Sequence, residues 1–305
     1  MAAMPKLSLA VVSSAFSTDP RQAMPRARAA GFRGVQFDAR SAALDLTTLS
    51  QSGRREFRTV LATHEQQLAG IRTDAGAKGF APKSDIDRAL AGLDKVLEAA
   101  AGLQAPLVCL DLGPMPEPAV VTKPKPKVDP AQAGLIILPE SAAGLGIEAA
   151  PEPEPRPADS GFESSLDAAL VALGQLADRY GVTVALRSEL ASYAAVERAL
   201  KAAGCPWFGV DLDATAVLRD RWPAEEVFAR LGSEVRHVRV RDARVGHDRR
   251  TQPAAVGQGD TNWGQLVALL DEAGYHGWAT VDPLELADRT GGAAGAIKHL
   301  KQFGV

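Results

Sequence analysis

Two kinds of apolar pattern alternate along the chain. Short, nearly continuous apolar runs rich in Val, Leu and Ala occur at 7–14, 34–39, 68–74, 105–113, 182–189, 207–214, 235–243 and 278–284. Runs of this kind, separated by helices, read as parallel strands buried on both faces. Stretches of helical character lie between them, at 19–31, 45–67, 84–102, 160–180, 192–204, 223–232, 262–274 and 287–302. The clearest is 84–102, where Ile86, Leu90, Leu93 and Leu97 fall on one face. Ser84 is placed to cap its start and Gly102 to end it. Eight strand–helix units in one chain predict an α/β fold, a single (β/α)8 TIM barrel spanning residues 1–305. An open doubly wound sheet would carry a Gly-rich nucleotide turn, and neither G-x-G-x-x-G nor a P-loop is present. The glycine-rich stretch 257–264 reads as a loop, with anion contact as its subordinate reading.

One segment breaks the alternation. More than half of the 20 prolines fall between Pro114 and Pro157, including the KPKPK (123–127) and PEPEPRP (151–157) runs. Such a segment holds neither a long helix nor a central strand. The strand–helix pattern resumes after it, so 114–160 is expected to be an insertion between the fourth strand and the fourth helix. Composition narrows the setting. The chain is 46% hydrophobic and 23% charged, with a formal net charge of −3. That balance argues against a bulk electrostatic nucleic-acid binder. No apolar run reaches the length of a membrane span, and the first apolar stretch reads as a strand, not a signal peptide. Cys109 and Cys205 are the only cysteines, each in an apolar run, which excludes a disulfide scaffold and makes a reducing, cytoplasmic location the default.

In a barrel of this type the site lies at the C-terminal ends of the strands. Those ends carry Gln36 and Asp38, Arg72 and Asp74, Asp111, Arg187 and Glu189, Asp211 and Asp213, His237, Arg239, Arg241 and Asp242, then Asp282 and Glu285. Residues two apart on a strand share a face, so each such pair points the same way. Buried charges are costly unless paired. The expected pairs include Arg187–Asp211 and Arg239–Asp282. This density of charge has two readings, a polar ligand pocket or an ion network that closes the barrel top.

The stretches AAGFRGVQFDA (29–39), VTVALRSE (182–189), FGVDLDAT (208–215), VRHVRVRDA (235–243), GQGDTNW (257–263) and GYHGWATVDP (274–283) come in an order and spacing that resembles the xylose isomerase-like TIM barrels. This is the sugar phosphate isomerase/epimerase family, which also includes endonuclease IV-type folds. The resemblance covers nearly the whole chain outside 114–160. It implies a divalent metal held by Glu, Asp, His and Glu from strands five to eight, with two carboxylates acting as acid and base. Carried over by position, the strand-five glutamate is Arg187, the strand-six aspartate is Asp211, the strand-seven histidine is Arg239 and the strand-eight glutamate is Asp282. A histidine often found three residues after that aspartate is Ala214, Arg241 and Asp242 stand in the Lys-Asp places of strand seven, and Gln36 replaces a glutamate. Shifted by two residues, Glu189 would serve in place of Arg187.

Arginine has no lone pair to give a metal, and two fixed cations repel a divalent ion. No metal or other cofactor is therefore expected, and the family's metal-ligand set is expected to be lost. Two functional expectations follow. In one the barrel is metal-free and non-catalytic or altered in activity, binding a small anionic, carbohydrate-like ligand, with neither nucleic acid nor membrane as partner. In the other it is an active sugar phosphate or sugar acid isomerase/epimerase. Glu189, Asp211 and Asp282 are the candidate catalytic carboxylates in either case. Gln36, Arg72, Arg187, His237, Arg239 and Arg241 are the candidate substrate-binding residues, the arginines forming a bidentate clamp on an anion.

Overall fold

A computed structural model describes residues 7–76, 78–81, 84–113, 115, 160–187, 192–246 and 250–305. The proline-rich segment, apart from Met115 and Ser160, lies outside the described residues, as do Glu189 and His247.

Eight strands, β1 (Ser8–Val12), β2 (Gly34–Asp38), β3 (Gln67–Asp74), β4 (Leu107–Asp111), β5 (Thr183–Arg187), β6 (Phe208–Asp213), β7 (Val235–Val240) and β10 (Trp278–Val281), close into one barrel. They run in the order β1-β10-β7-β6-β5-β4-β3-β2, and every neighbouring pair is parallel. The helices are α1 (Pro20–Ala29), α2 (Gln51–Thr63), α3 (Ile86–Leu103), α4 (Ser160–Tyr180), α5 (Tyr193–Ala203), α6 (Ala214–Arg219), α7 (Ala224–Leu231), α8 (Trp263–Glu272) and α9 (Arg289–Leu300). The eight-unit barrel read from the sequence is therefore the fold. Among the described residues no helix is long and apolar enough to cross a membrane.

The apolar mass sits between strands and helices. Val35, Ile71, Val108, Leu110, Leu186, Leu212, Val238 and Val240 alternate outward and meet Leu97, Leu170, Leu173, Val196 and Leu266 of the surrounding helices. Inside the barrel Leu107, Cys109 and Ala185 form a small apolar cluster. Toward the C-terminal strand ends the interior is largely polar. At its lower end Trp278 fills the space under Gly34, where a Cβ would come within 2.6 Å of the indole.

Asp85, not Ser84, caps α3, its carboxylate accepting the Arg88 N–H at 3.0 Å. The helix runs past Gly102 and ends at Gln104, which takes the left-handed conformation at φ 56. Gly102 instead makes room for the Arg54 guanidinium, whose Nη1 would lie 2.5 Å from an added Cβ. A short helix and a two-stranded hairpin have no counterpart in the apolar pattern. The short helix α6 follows β6 directly, capped by the Asp213 carboxylate on the Thr215 N–H at 3.0 Å. The pair β8 (Asp242–Val245) and β9 (Thr251–Ala254) forms an antiparallel hairpin over the barrel top. Its charged, proline-containing sequence carries no apolar alternation.

One carboxylate holds that hairpin to the following loop. Asp242 accepts N–H groups from Ala243 at 2.9 Å, Gly257 at 2.9 Å, Thr261 at 3.1 Å and Gly259 at 3.3 Å, and the Trp263 indole N–H at 3.3 Å. The glycine-rich loop does wrap an anion, and that anion is the protein's own. Gly259 is required there, because a Cβ would lie 2.2 Å from the Asp242 carboxylate. Replacing Asp242 by Ala leaves five donors facing a void. The expected loss is about 2–4 kcal/mol of stability, read by urea denaturation. A loss at the level of an ordinary surface substitution would show that other contacts hold the loop.

Candidate functional site

Alternation along each barrel strand sends the even or odd set inward, and the inward set stacks in layers. The deeper polar layer contains Gln36, Cys109, Asp211, His237 and Thr280. His237 is buried, with Nδ1 2.6 Å from Asp211 Oδ1 and Nε2 2.7 Å from the Thr280 hydroxyl. The Gln36 amide nitrogen lies 3.4 Å from the same Nε2 and donates to Cys109 Sγ at 3.2 Å. Burial pushes the Asp211 carboxyl up, but the charge and hydrogen bond of His237, with Arg187 and Arg241 beyond, outweigh it and hold the group below its ordinary value. Burial, with Asp211 beside it, pushes the Cys109 thiol well above its ordinary value.

The upper layer, at the mouth, is a belt of alternating charge. Asp38 accepts from Arg72 Nε at 2.7 Å, and Arg72 Nη1 reaches Asp282 at 3.0 Å. Asp282 also accepts from Arg239, Nε at 2.8 Å and Nη2 at 2.5 Å. Arg239 Nη1 stands 3.7 Å from Asp213, and Arg187 Nη1 stands 3.6 Å from the same carboxylate. Arg187 Nη2 donates to Asp111 at 2.9 Å. Arg241 binds Asp213 through Nε at 3.3 Å and through Nη2, and it reaches Glu285 at 2.8 Å. The belt takes residues from the ends of every barrel strand except β1. Burial alone would lower the guanidinium values of Arg72, Arg187 and Arg241. The carboxylates around them reverse this and raise all three.

The expected pair Arg239–Asp282 is present. The expected pair Arg187–Asp211 is not a direct bond: Arg187 meets Asp111 and Asp213, and Asp211 is tied to His237 one layer below. Asp211, Gln36 and His237 sit two residues before Asp213, Asp38 and Arg239 on their strands, so these three candidates lie beneath the mouth. Arg72, Arg187, Arg239, Arg241 and Asp282 are at the mouth as anticipated. Glu189 lies outside the described residues. Asp38, Asp111, Asp213 and Glu285 were visible as strand-end carboxylates but were not placed in the site. Asp213 is the one that mattered: it faces Arg239 across the β6–β7 register, while Asp211 faces His237. A register shift between Val210 and Asp211 separates it from the simple reading.

Above the belt is an open cleft of about 630 Å³, bordered by Asp38, Arg40, Arg72, Asp111, Arg187, Arg239, Asp282 and Glu285 among others. Its floor offers guanidinium and carboxylate edges to hydroxyl groups. Asp282 has little left to give as a base. One oxygen takes three guanidinium N–H bonds and the other accepts the Leu284 N–H at 3.2 Å. As for a metal, Cys109, Asp211 and His237 place sulfur, oxygen and nitrogen atoms within 4.8 Å of one another. Their hydrogen bonds are already made to each other and to Thr280 and Gln36, and the thiol is kept protonated, whereas a metal needs the thiolate. The four positions that the resemblance assigns to metal ligands contain Arg187 and Arg239, which supply donors and no acceptor.

The family profile for xylose isomerase-like TIM barrels matches residues 24–303. The chain belongs to this family and has the fold of its sugar isomerases and epimerases. Among solved structures it is similar to a xylose isomerase domain protein from Planctomyces limnophilus, at 17% identity and a TM-score of 0.71, covering 98% of each chain. It is also similar to a D-allulose 3-epimerase from Methylomonas sp., at 15% identity and a TM-score of 0.67, covering 99% of this chain and 100% of that one. A xylose isomerase-like TIM barrel protein from Mycobacterium smegmatis, solved in complex with magnesium, matches at 16% identity and a TM-score of 0.67, covering 99% and 98%. No curated protein sequence gives a significant match.

Two outcomes follow from the two layers. Asp213→Asn strips a buried partner from Arg241 and weakens the field on Arg187 and Arg239. It should cost about 3–5 kcal/mol. Asp38→Asn, at the half-exposed end of the belt, should cost about 1 kcal/mol or less; urea denaturation of the two variants side by side checks the contrast. The second outcome concerns acid. A carboxyl held below its unfolded value stabilises the fold above that value, near pH 3.9, and loses this as pH falls through the folded one. The stability gap between the native chain and Asp211→Asn should therefore be full near about pH 6 and shrink below about pH 4. A gap independent of pH would show that the shift is not what Asp211 contributes.

Proposed function

We propose that this chain binds a small carbohydrate-derived ligand at the barrel mouth without a divalent metal, and that it does not catalyse metal-assisted isomerisation. The observation that carries the reading is the placement of Arg187 and Arg239, each paired with carboxylates, at two of the four positions where the family resemblance expects metal ligands. A divalent ion there would have to compete with fixed guanidinium charge for the same carboxylates. The magnesium complex of the mycobacterial relative and the substrate named for the Methylomonas epimerase mark the contrast. Here, the belt would present paired donors and acceptors to sugar hydroxyls. Asp282 would orient a ligand through Arg72 and Arg239 and would not take its proton.

The test is metal analysis of the purified chain after incubation with Mn²⁺, Mg²⁺ and Zn²⁺, with thermal shift against D-fructose. Substoichiometric metal and a shift with the ketose are expected. The double variant Arg187→Glu/Arg239→His removes both cations and supplies a carboxylate and an imidazole, and it should gain divalent-ion binding that the native chain lacks. One metal per native chain, or turnover of a ketose by the metal-stripped chain, would overturn the reading. The second of these would favour a carboxylate-driven epimerase.

A further inference from the structure

Beside the mouth lies a second cleft, of about 520 Å³, walled by Arg40, Thr73, Asp74, Lys78, Ser84 and Arg88 among others. It shares Arg40, Thr73 and Asp74 with the mouth cleft, so these residues stand between the two. Their charge differs. Counting the shared residues in both, the mouth is lined by four guanidiniums against five carboxylates. The side cleft has three cations, Arg40, Lys78 and Arg88, against the two carboxylates of Asp74 and Asp85.

The cations also differ in what engages them. Arg72, Arg187, Arg239 and Arg241 are all held by carboxylates. Among the described residues Arg40, Lys78 and Arg88 form no ion pair, and the only hydrogen bond from these three side chains runs from Arg40 Nη2 to the Gly92 carbonyl at 3.3 Å. That bond rests Arg40 on α3, at the wall common to both clefts. The two carboxylates are turned to the backbone, Asp74 accepting the Gly76 N–H at 2.7 Å and Asp85 the Arg88 N–H at 3.0 Å. The Ser84 hydroxyl is buried at the cleft wall and has no hydrogen-bond partner. It precedes α3, whose start is already capped by the Asp85 carboxylate.

We propose that this side cleft is a binding site for a small tetrahedral oxoanion, the phosphoryl end of a ligand whose neutral part lies over the mouth. Arg40, Lys78 and Arg88 supply the charge. The anion site is thereby displaced from the arginine belt, whose positive charge is already neutralised, to the neighbouring cations that have none opposite them. The proposal rests on the carbohydrate reading only for what the oxoanion is attached to.

Calorimetric titration of the full chain with inorganic phosphate at low ionic strength tests the site. One phosphate per chain is expected, and Lys78→Gln/Arg88→Gln should weaken it by about tenfold or more. Arg21→Gln/Arg230→Gln removes the same charge from the outer helices and should leave the affinity within about twofold. All four positions are exposed, and thermal melts confirm that each variant folds. Absence of phosphate binding by the native chain, an unchanged affinity in Lys78→Gln/Arg88→Gln, or an equal loss in the control pair would each overturn the proposal. D-Fructose, which has no phosphoryl group, separates the two readings. Phosphate binding with the expected variant pattern and no response to D-fructose keeps the oxoanion site and removes the carbohydrate. A response to D-fructose with no phosphate binding does the reverse.

Discussion

Guanidinium groups brought to the mouth of one small barrel must be neutralised where they stand. At a separation of about 6 Å, two of them repel by roughly 3 kcal/mol even at an effective dielectric of 20, and burial adds a desolvation cost to each. The belt Asp38–Arg72–Asp282–Arg239–Asp213–Arg187–Asp111 answers this by placing a carboxylate between each pair of neighbours. Closure of the sheet, the inward alternation of strand ends and the choice of Asp over Glu at most positions all serve that spacing. Among the described residues the belt's one longer carboxylate is Glu285, which takes Arg241 Nη1 while Nε and Nη2 stay on Asp213.

The belt also decides what the deeper layer can be. With a neutral floor above it, the pocket around His237 is sealed and must satisfy its own polar atoms. It does so with a relay of short bonds, Asp211 to His237 to Thr280, and with Gln36 against His237 and Cys109. A carboxylate, an imidazole and a thiol in a cleft would suggest chemistry. Beneath a closed belt the same groups act as a hydrogen-bonded core, consistent with the cost of leaving any buried polar group unpaired.

The fold was legible because its signal is repeated: eight apolar runs interleaved with eight helical stretches leave little choice of architecture. The belt's membership was legible in outline, since charged residues at strand ends have few other reasons to be there. What could not be read was which partner each charge takes. Asp211 and Asp213 share a face and differ by one layer, and only the β6–β7 register shows that Asp213 meets the arginines. The hairpin over the mouth was illegible because its stability comes from Asp242 and the distant backbone N–H groups at Gly257, Gly259 and Thr261, not from its own apolar pattern. The same long-range bonding misled the reading of the glycine-rich loop, whose anion is internal.

Fixed ion pairs and a bound metal impose different demands on a ligand. A metal takes ligand oxygens directly and polarises them, so it recruits the reacting carbons to one point. A salt-bridge belt is preorganised and its charges are already paired, so a ligand over it would gain hydrogen bonds at the edges and little net charge attraction. Orientation must then come from a group outside the belt. In this chain Arg40 lies on the wall between the neutralised floor and the cations of the next cleft. With the proposed oxoanion site, selectivity for a charged ligand over a neutral one would be set beside the mouth, and selectivity among hydroxyl patterns within it.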